Sequence, residues 1–252
     1  MSPIKISYII ITWNGLDYIS RLLRSMERQL AREDVEVIVT DNHSTDGTID
    51  YLQTNYPHIR LICLPENKGV AFARNTALRQ ASGEYLLVLD NDIQITNEAV
   101  IAMEQYMDAH PEAGMCGCKL LYPDGTTQPS CKPYPGIREK WRSFRRAGQP
   151  AVYARQMEGN EPFEPTYIIG ACQMIRSSVY RAVGELDEAI FYGPEDCDYC
   201  LRISRAGWKV VYLPAVHMYH HCQRLTRMKP FSRLGWQHLK ALAYFYWKYK
   251  KI

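Results

Sequence analysis

The chain has 252 residues, 46% hydrophobic and 23% charged, with a mean hydropathy of −0.32, a balance that excludes a disordered or collagen-like polymer. Such a length buries a sizeable core without a disulfide or metal staple, as one large domain or a domain with a small appendage. The 30 Lys and Arg exceed the 27 Asp and Glu by only three, but unevenly: residues 222–252 carry eight basic residues and no acidic one, leaving an acidic body of net charge −5.

Four short, β-branched apolar runs stand in the first ninety residues: Ile6 to Thr12, Val35 to Thr40, Ile59 to Leu64 and Tyr85 to Leu89. Helix-like stretches, about Asp17 to Arg32, Asp46 to Tyr56 and Val70 to Ala81, alternate with them. That alternation predicts a parallel, doubly wound α/β sheet covered by helices on both faces, with ligands at the carboxyl ends of its strands. Residues 93–113 then read as a helix, Gly114 to Leu121 as a strand, and 122–165 as a basic stretch punctuated by Pro and Gly, of the kind usually functional or mobile. Tyr167 to Ile175 is strand-like and Ser177 to Val183 helix-like. Gly193-Pro194 opens a further helix, and Lys209 to Leu213 is a strand leading to His217, His220 and His221.

No apolar run approaches the ~20 residues of a membrane span. The chain starts Met-Ser-Pro-Ile-Lys and enters a strand-like run without a signal peptide, so its eight cysteines are expected reduced, in the cytoplasm. Cys197 and Cys200 lack partners spaced for zinc and read as one helical turn facing the core.

Polar clusters follow the apolar runs. Asp90-Asn91-Asp92 suits either a hard divalent cation bridging a diphosphate or a capped turn. Asp41 ends its strand where an acid commonly reads a base or ribose, and Asp46 is placed to cap the next helix. Glu195 and Asp196, in a first helical turn, either offset the helix dipole or present a general base, while Asp198 and Arg202 pair at i,i+4. Three histidines within five positions favour a ligand or proton-handling role over a structural one. There is no G-x-G-x-x-G for a nicotinamide or flavin and no nucleoside-triphosphatase loop.

The ordered set Thr12-Trp13-Asn14, Asp41 to Thr48, Asn67-Lys68-Gly69 with Ala73-Arg74-Asn75, Asp90-Asn91-Asp92 and Glu195 to Arg202 with Tyr219-His220 closely resembles family 2 glycosyltransferases of GT-A fold. The nearest subgroup is rhamnosyltransferase-like, from bacterial surface polysaccharide synthesis, and the resemblance spans about residues 4–225. It implies a GT-A domain over 1–225, with a nucleotide-binding half to about 115 and an acceptor-binding half beyond; residues 226–252 read separately as a basic amphipathic C-terminal helix. It implies an inverting transfer from a UDP- or dTDP-sugar, rhamnose among the donors, to a saccharide or lipid-linked acceptor. Asp196 would be the base; Asp90, Asp92 and His220 would hold Mg2+ or Mn2+. Thr12, Asn14, Asp41, Asn67, Lys68, Gly69, Arg74 and Asp90 would meet the donor, with Arg74 near the diphosphate, and Gly170-Ala171-Cys172 would shape the acceptor side. The alternatives are a nucleotidyltransferase, which would want a Gly-rich basic loop after the first strand, and a catalytically idle sugar-nucleotide-binding module.

Trp236, Leu239, Leu242, Ala243, Tyr246 and Trp247 recur at helical spacing, with Arg233, Lys240, Lys248 and Lys251 on the other side. Such a helix docks on its own domain or lies on an anionic membrane through residues 228–252, which would make the protein peripheral on the inner face of the plasma membrane. An acidic body argues against nucleic acid.

Overall fold

A computed structural model describes residues 3–134, 152–222 and 233–250. β1 (Ile6–Thr12), β2 (Val35–Asp41), β3 (Arg60–Cys63) and β4 (Tyr85–Asp90) are parallel, in the spatial order β3-β2-β1-β4. Alternate side chains enter opposite cores, Tyr8, Ile10, Val37 and Val39 on one face and Ile9, Ile38, Leu86 and Val88 on the other. Burial on both faces is why β1 and β4 are almost wholly apolar, whereas β3, at the sheet edge, is exposed or half-buried. The register pairs Thr12 with Asp41 and Ile11 with Asp90, so the polar strand ends share one edge.

The connecting helices are α1 (Leu16–Ser25), α2 (Glu27–Leu30), α3 (Thr48–Asn55) and α4 (Val70–Leu78). The single helix expected over Asp17 to Arg32 is divided at Met26. Beyond it Gln29 turns inward, its side chain accepting from Tyr8 Oη at 3.0 Å and donating to Asn97 Oδ1 at 2.9 Å.

The helix expected over 93–113 begins instead with β5 (Ile93–Gln94); Thr96 then caps α5 (Asn97–Ala109), its hydroxyl accepting from Ala99 N. There follow β6 (Ala113–Leu121), β7 (Thr127–Gln128), β8 (Cys131–Lys132), α6 (Ala154–Met157), β9 (Tyr167–Ile168), β10 (Cys172–Arg176), α7 (Ser177–Val183), α8 (Glu195–Arg205), β11 (Lys209–His220) and α9 (Arg233–Lys248). The stretch expected as a loop over 122–165 therefore holds β7, β8 and α6, with 135–151 outside the described residues. The main sheet runs β3-β2-β1-β4-β10-β6-β11-β5, with β7 on β6, and β10 is antiparallel to both neighbours, so the sheet is mixed. The strand-like run over Tyr167 to Ile175 is interrupted at Gly170, whose backbone turns to the cleft. β11 extends past Leu213 to His220 through a register shift at Pro214, where a ladder N–H is missing.

All eight cysteines are free, and Cys197 and Cys200 are buried as expected. Among the described residues no helix is long and apolar enough to cross a membrane. The C-terminal helix α9 packs on its own body, but not through the face that its spacing suggested. Ala241, Phe245 and, just beyond it, Tyr249 are buried, whereas Trp236, Leu239 and Trp247 are 59%, 54% and 65% exposed. Ion pairs set this rotation: Lys248 Nζ lies 2.6 Å from both Asp187 Oδ2 and Asp198 Oδ1, drawing inward a lysine expected on the polar side.

Candidate active site

At the strand-end edge, Asp90 closes β4 and Asp92 follows in a turn that leads to β5, whose Ile93 pairs with His220 on β11. Asp90, Asp92 and His220 each offer one ligand atom, all within 4.8 Å of one another. Two carboxylate oxygens and an imidazole nitrogen suit Mg2+ or Mn2+, which complete their shells with phosphate and water oxygens. His220 Nε2 is 3.2 Å from Asp92 Oδ1, and desolvation of the ring is outweighed by the bond to Asp92 and by the charges of Asp92 and Asp90, which raise its pKa. Its Nδ1 lies 2.8 Å from Gln128 Oε1, an acceptor that keeps the Nδ1 proton and turns Nε2 to the acids. Gln128 escaped the sequence reading; only the pairing of β7 with β6 brings it here. Of the other histidines, His221 gives Asp92 O its backbone N–H and His217 stands edge-on to Tyr219.

Arg74 ties this group to the acidic pair. It is 2% exposed, in the floor of the cleft, where it meets Asp90 of the candidate metal group. Nη2 donates to Asp90 Oδ1 at 2.6 Å and to Gly170 O at 2.8 Å, while Nη1 donates to Glu195 Oε1 at 3.1 Å. A Cβ on Gly170 would stand 2.5 Å from that guanidinium, so only glycine admits it. Gly170 N donates in turn to Asp196 Oδ2 at 3.1 Å, and Cys197 N to Asp196 Oδ1 at 2.7 Å. Glu195 is buried; desolvation and neighbouring Asp196 push its carboxyl up to about 8 against the pull of Arg74. Asp196 alone of the pair is half-exposed.

On the opposite side of the strand ends, Asp41 is wholly buried. Its Oδ1 accepts from Ser44 N at 2.8 Å, and its Oδ2 has no protein partner. A buried acceptor left open is costly unless a ligand fills it. Thr12 Oγ1 accepts from Asn91 Nδ2, Asn14 Oδ1 from Thr45 N, and Asn67 Oδ1 from Asn42 Nδ2 and Gly69 N. These three side chains thus brace one cleft loop against another. Asn14 and His43, both non-glycine, sit at φ +47° and +74° on this rim, a strain of the kind that collects at binding sites. The Lys68 ammonium, 3.8 Å from Glu66 and 4.8 Å from the Phe72 ring centre, is on a partly exposed side chain.

The family model for glycosyl transferase family 2 matches residues 7–184. Over 254 residues the chain is 30% identical to the N-acetylglucosaminyl-diphospho-decaprenol L-rhamnosyltransferase of Mycobacterium tuberculosis, covering 91% of this chain and 80% of that protein. It is 28% identical over 217 residues to the dTDP-rhamnosyl transferase RfbF of Shigella flexneri, covering 84% and 67%. Among solved structures, TarS of Staphylococcus aureus (residues 1–349) superposes with a TM-score of 0.61 at 20% identity, covering 86% of this chain and 60% of that one. The mannosyltransferase PcManGT of Pyrobaculum calidifontis, in complex with GDP-Man and Mn2+, gives 0.62 at 21%, covering 89% and 60%. The chain spans about 60% of those two structures, and the likeness is one of fold, the GT-A glycosyltransferase fold. A family model over most of the chain, and a relative aligned over nearly all of it, show that this protein is a glycosyltransferase and belongs to glycosyl transferase family 2.

Proposed function

We propose that the protein moves a sugar from a UDP- or dTDP-sugar to a saccharide on a lipid carrier, inverting the anomeric centre, in cell-surface polysaccharide synthesis. The observation that carries this is the cluster of Asp90, Asp92 and His220 beside Asp196, joined to it through Arg74 and Gly170. The two rhamnosyltransferase relatives favour rhamnose as donor sugar, and the decaprenol-linked name of one favours the lipid-linked acceptor. The partners are then the donor, that acceptor and an anionic membrane surface met through residues 228–252, with the protein peripheral on the cytoplasmic face.

Donor binding falls to the near strand ends. Asp41 Oδ2 accepts an N–H of the pyrimidine, Lys68 faces the diphosphate, and Thr12, Asn14, Asn67 and Gly69 hold the loops that shape the pocket. Mg2+ or Mn2+ on Asp90, Asp92 and His220 would supply positive charge for the departing diphosphate. The acceptor oxygen attacks the anomeric carbon from the face opposite the diphosphate. The bond from that carbon to the phosphate oxygen breaks, its electron pair leaves with the nucleoside diphosphate, and the hydroxyl proton passes to Asp196. One displacement inverts. A retaining route needs a second carboxylate as nucleophile, and Glu195 is turned away onto Arg74.

Thermal shift against UDP-, dTDP- and GDP-sugars with Mn2+, followed by a transfer assay, tests this. Stabilisation by a uridine or thymidine donor is expected, with transfer abolished by EDTA and restored by Mn2+ or Mg2+. Indifference to every donor, or transfer that survives EDTA, overturns the donor and metal assignments.

A further inference from the structure

The helix α9 is apolar on two sides, and its seat on the body uses only one of them. Ala241 is buried, and Phe245 and Tyr249 enter the core shared with α4 and α8. Opposite them Trp236, Leu239, Lys240, Ala243, Trp247 and Lys250 are all exposed. At 100° per residue the five helical positions fall in one stripe, apolar with Lys240 at its edge, and Lys250, just beyond the helix, has its Nζ 5.8 Å from the Trp247 ring centre. Two tryptophans and a leucine more than half exposed add little to the core, whose demand for apolar surface the other face meets.

The body-facing side is fastened to the approach to the catalytic helix. His238 Nδ1 is 3.1 Å from Tyr192 O, and its ring packs so closely on Gly193 (φ +77°) that a Cβ there would collide with it. Tyr244 Oη and Lys248 Nζ bond to Asp187, and Lys248 and Tyr249 to Asp198. Gly193-Pro194 lead directly into Glu195-Asp196.

We propose that the exposed stripe of α9 docks on an anionic lipid bilayer, while the opposite side of the helix fixes the entrance of the Asp196 helix at a set height above that surface. This deepens the proposed function, and it rests on that reading only for its consequence, the delivery of a lipid-linked acceptor to Asp196. Charge complementarity selects the bilayer as occupant. Residues 222–252 carry eight basic residues and no acid, so a second copy laid face to face would oppose like charges, whereas anionic headgroups attract lysines and accept tryptophan at their level.

The full chain is sedimented with vesicles of phosphatidylcholine and of phosphatidylcholine with phosphatidylglycerol. Binding to the anionic vesicles, weakened by salt, is expected. In Trp236→Ala/Leu239→Ser/Trp247→Ala it falls by about tenfold or more, and in Lys240→Glu/Lys250→Glu the preference for anionic lipid is lost. The apolar variant is expected to keep its circular dichroism and to transfer sugar to a water-soluble acceptor as the parent does. Parent protein that ignores both vesicles, or an apolar variant that binds as the parent does, overturns the proposal. So does a dimer in light scattering that the apolar variant abolishes, which would give the face to a second copy. Vesicle binding by a parent that transfers no sugar at all would instead sink the proposed reaction and leave the docking surface standing.

Discussion

Two groups of carboxylates in this protein meet opposite surroundings. Under α9, Asp187 and Asp198 are matched by Lys248, Arg202 and the hydroxyls of Tyr244 and Tyr249. In the cleft, Asp90, Asp92, Glu195 and Asp196 share buried Arg74 and His220, and one oxygen of Asp41 has no protein partner. The protonation tendencies diverge accordingly. At Asp187 burial is outweighed by the bond from Lys248 and the carboxyl falls below its ordinary range, whereas burial and Asp196 push Glu195 up to about 8. Matched acids hold a helix in place; the under-matched ones are those to which the proposed function gives a cation, a nucleoside or a proton.

The sharpest way to break that contrast is Asp196→Asn, which should fold normally by circular dichroism and lower turnover by about 10²–10⁴-fold, the worth of a general base. Turnover near the parent's would place the base elsewhere. On the matched side, Asp198→Asn should cost about 2–3 kcal/mol in urea unfolding, since bonds to charged groups are worth ~1.5–3 kcal/mol each and Lys248 and Arg202 are only partly exposed. An unchanged midpoint would mean that the seat under α9 contributes nothing. Gln128→Leu should weaken Mn2+ binding by about 10–100-fold in an electron paramagnetic resonance titration, as the loss of a group orienting a metal-ligand histidine does; equal affinity removes Gln128 from the site. A further test is in pH dependence. The folded protein keeps the Glu195 proton up to about 8 and the unfolded chain loses it near 4.5, so folding takes up a proton and this contribution to stability declines as pH rises through that window. The melting temperature of Glu195→Gln should therefore fall less than the parent's between those limits, and parallel curves would contradict the raised pKa.

What was legible in the sequence was local. Asp41 and Asp90 follow apolar runs, Glu195-Asp196 follows Gly-Pro, and Cys197 and Cys200 are spaced for one helix face, so periodicity and strand ends suffice to place them. What was missed depends on distant partners. The strand at Ile93-Gln94 exists only because Tyr219 and His220 pair with it, and Gln128 reaches His220 only through Leu120. That His220, which the resemblance implied, and not His217 or His221 joins the acids follows from its pairing with Ile93, the residue after Asp92. The rotation of α9 was set by Asp187 and Asp198, which the helix's own pattern could not reveal, and the burial of Arg74 by Glu195 and Gly170.

Gly170 donates through its N–H to Asp196 and accepts through its carbonyl from Arg74, which in turn holds Asp90. Those two atoms belong to successive rigid peptide planes that share one α-carbon. The spacing between the side of the cleft that would release a leaving group and the side that would receive a proton is thus governed by the two torsion angles of a single residue. Mutating either acid leaves that hinge intact; stiffening it with a side chain would shift both halves of the reaction at once.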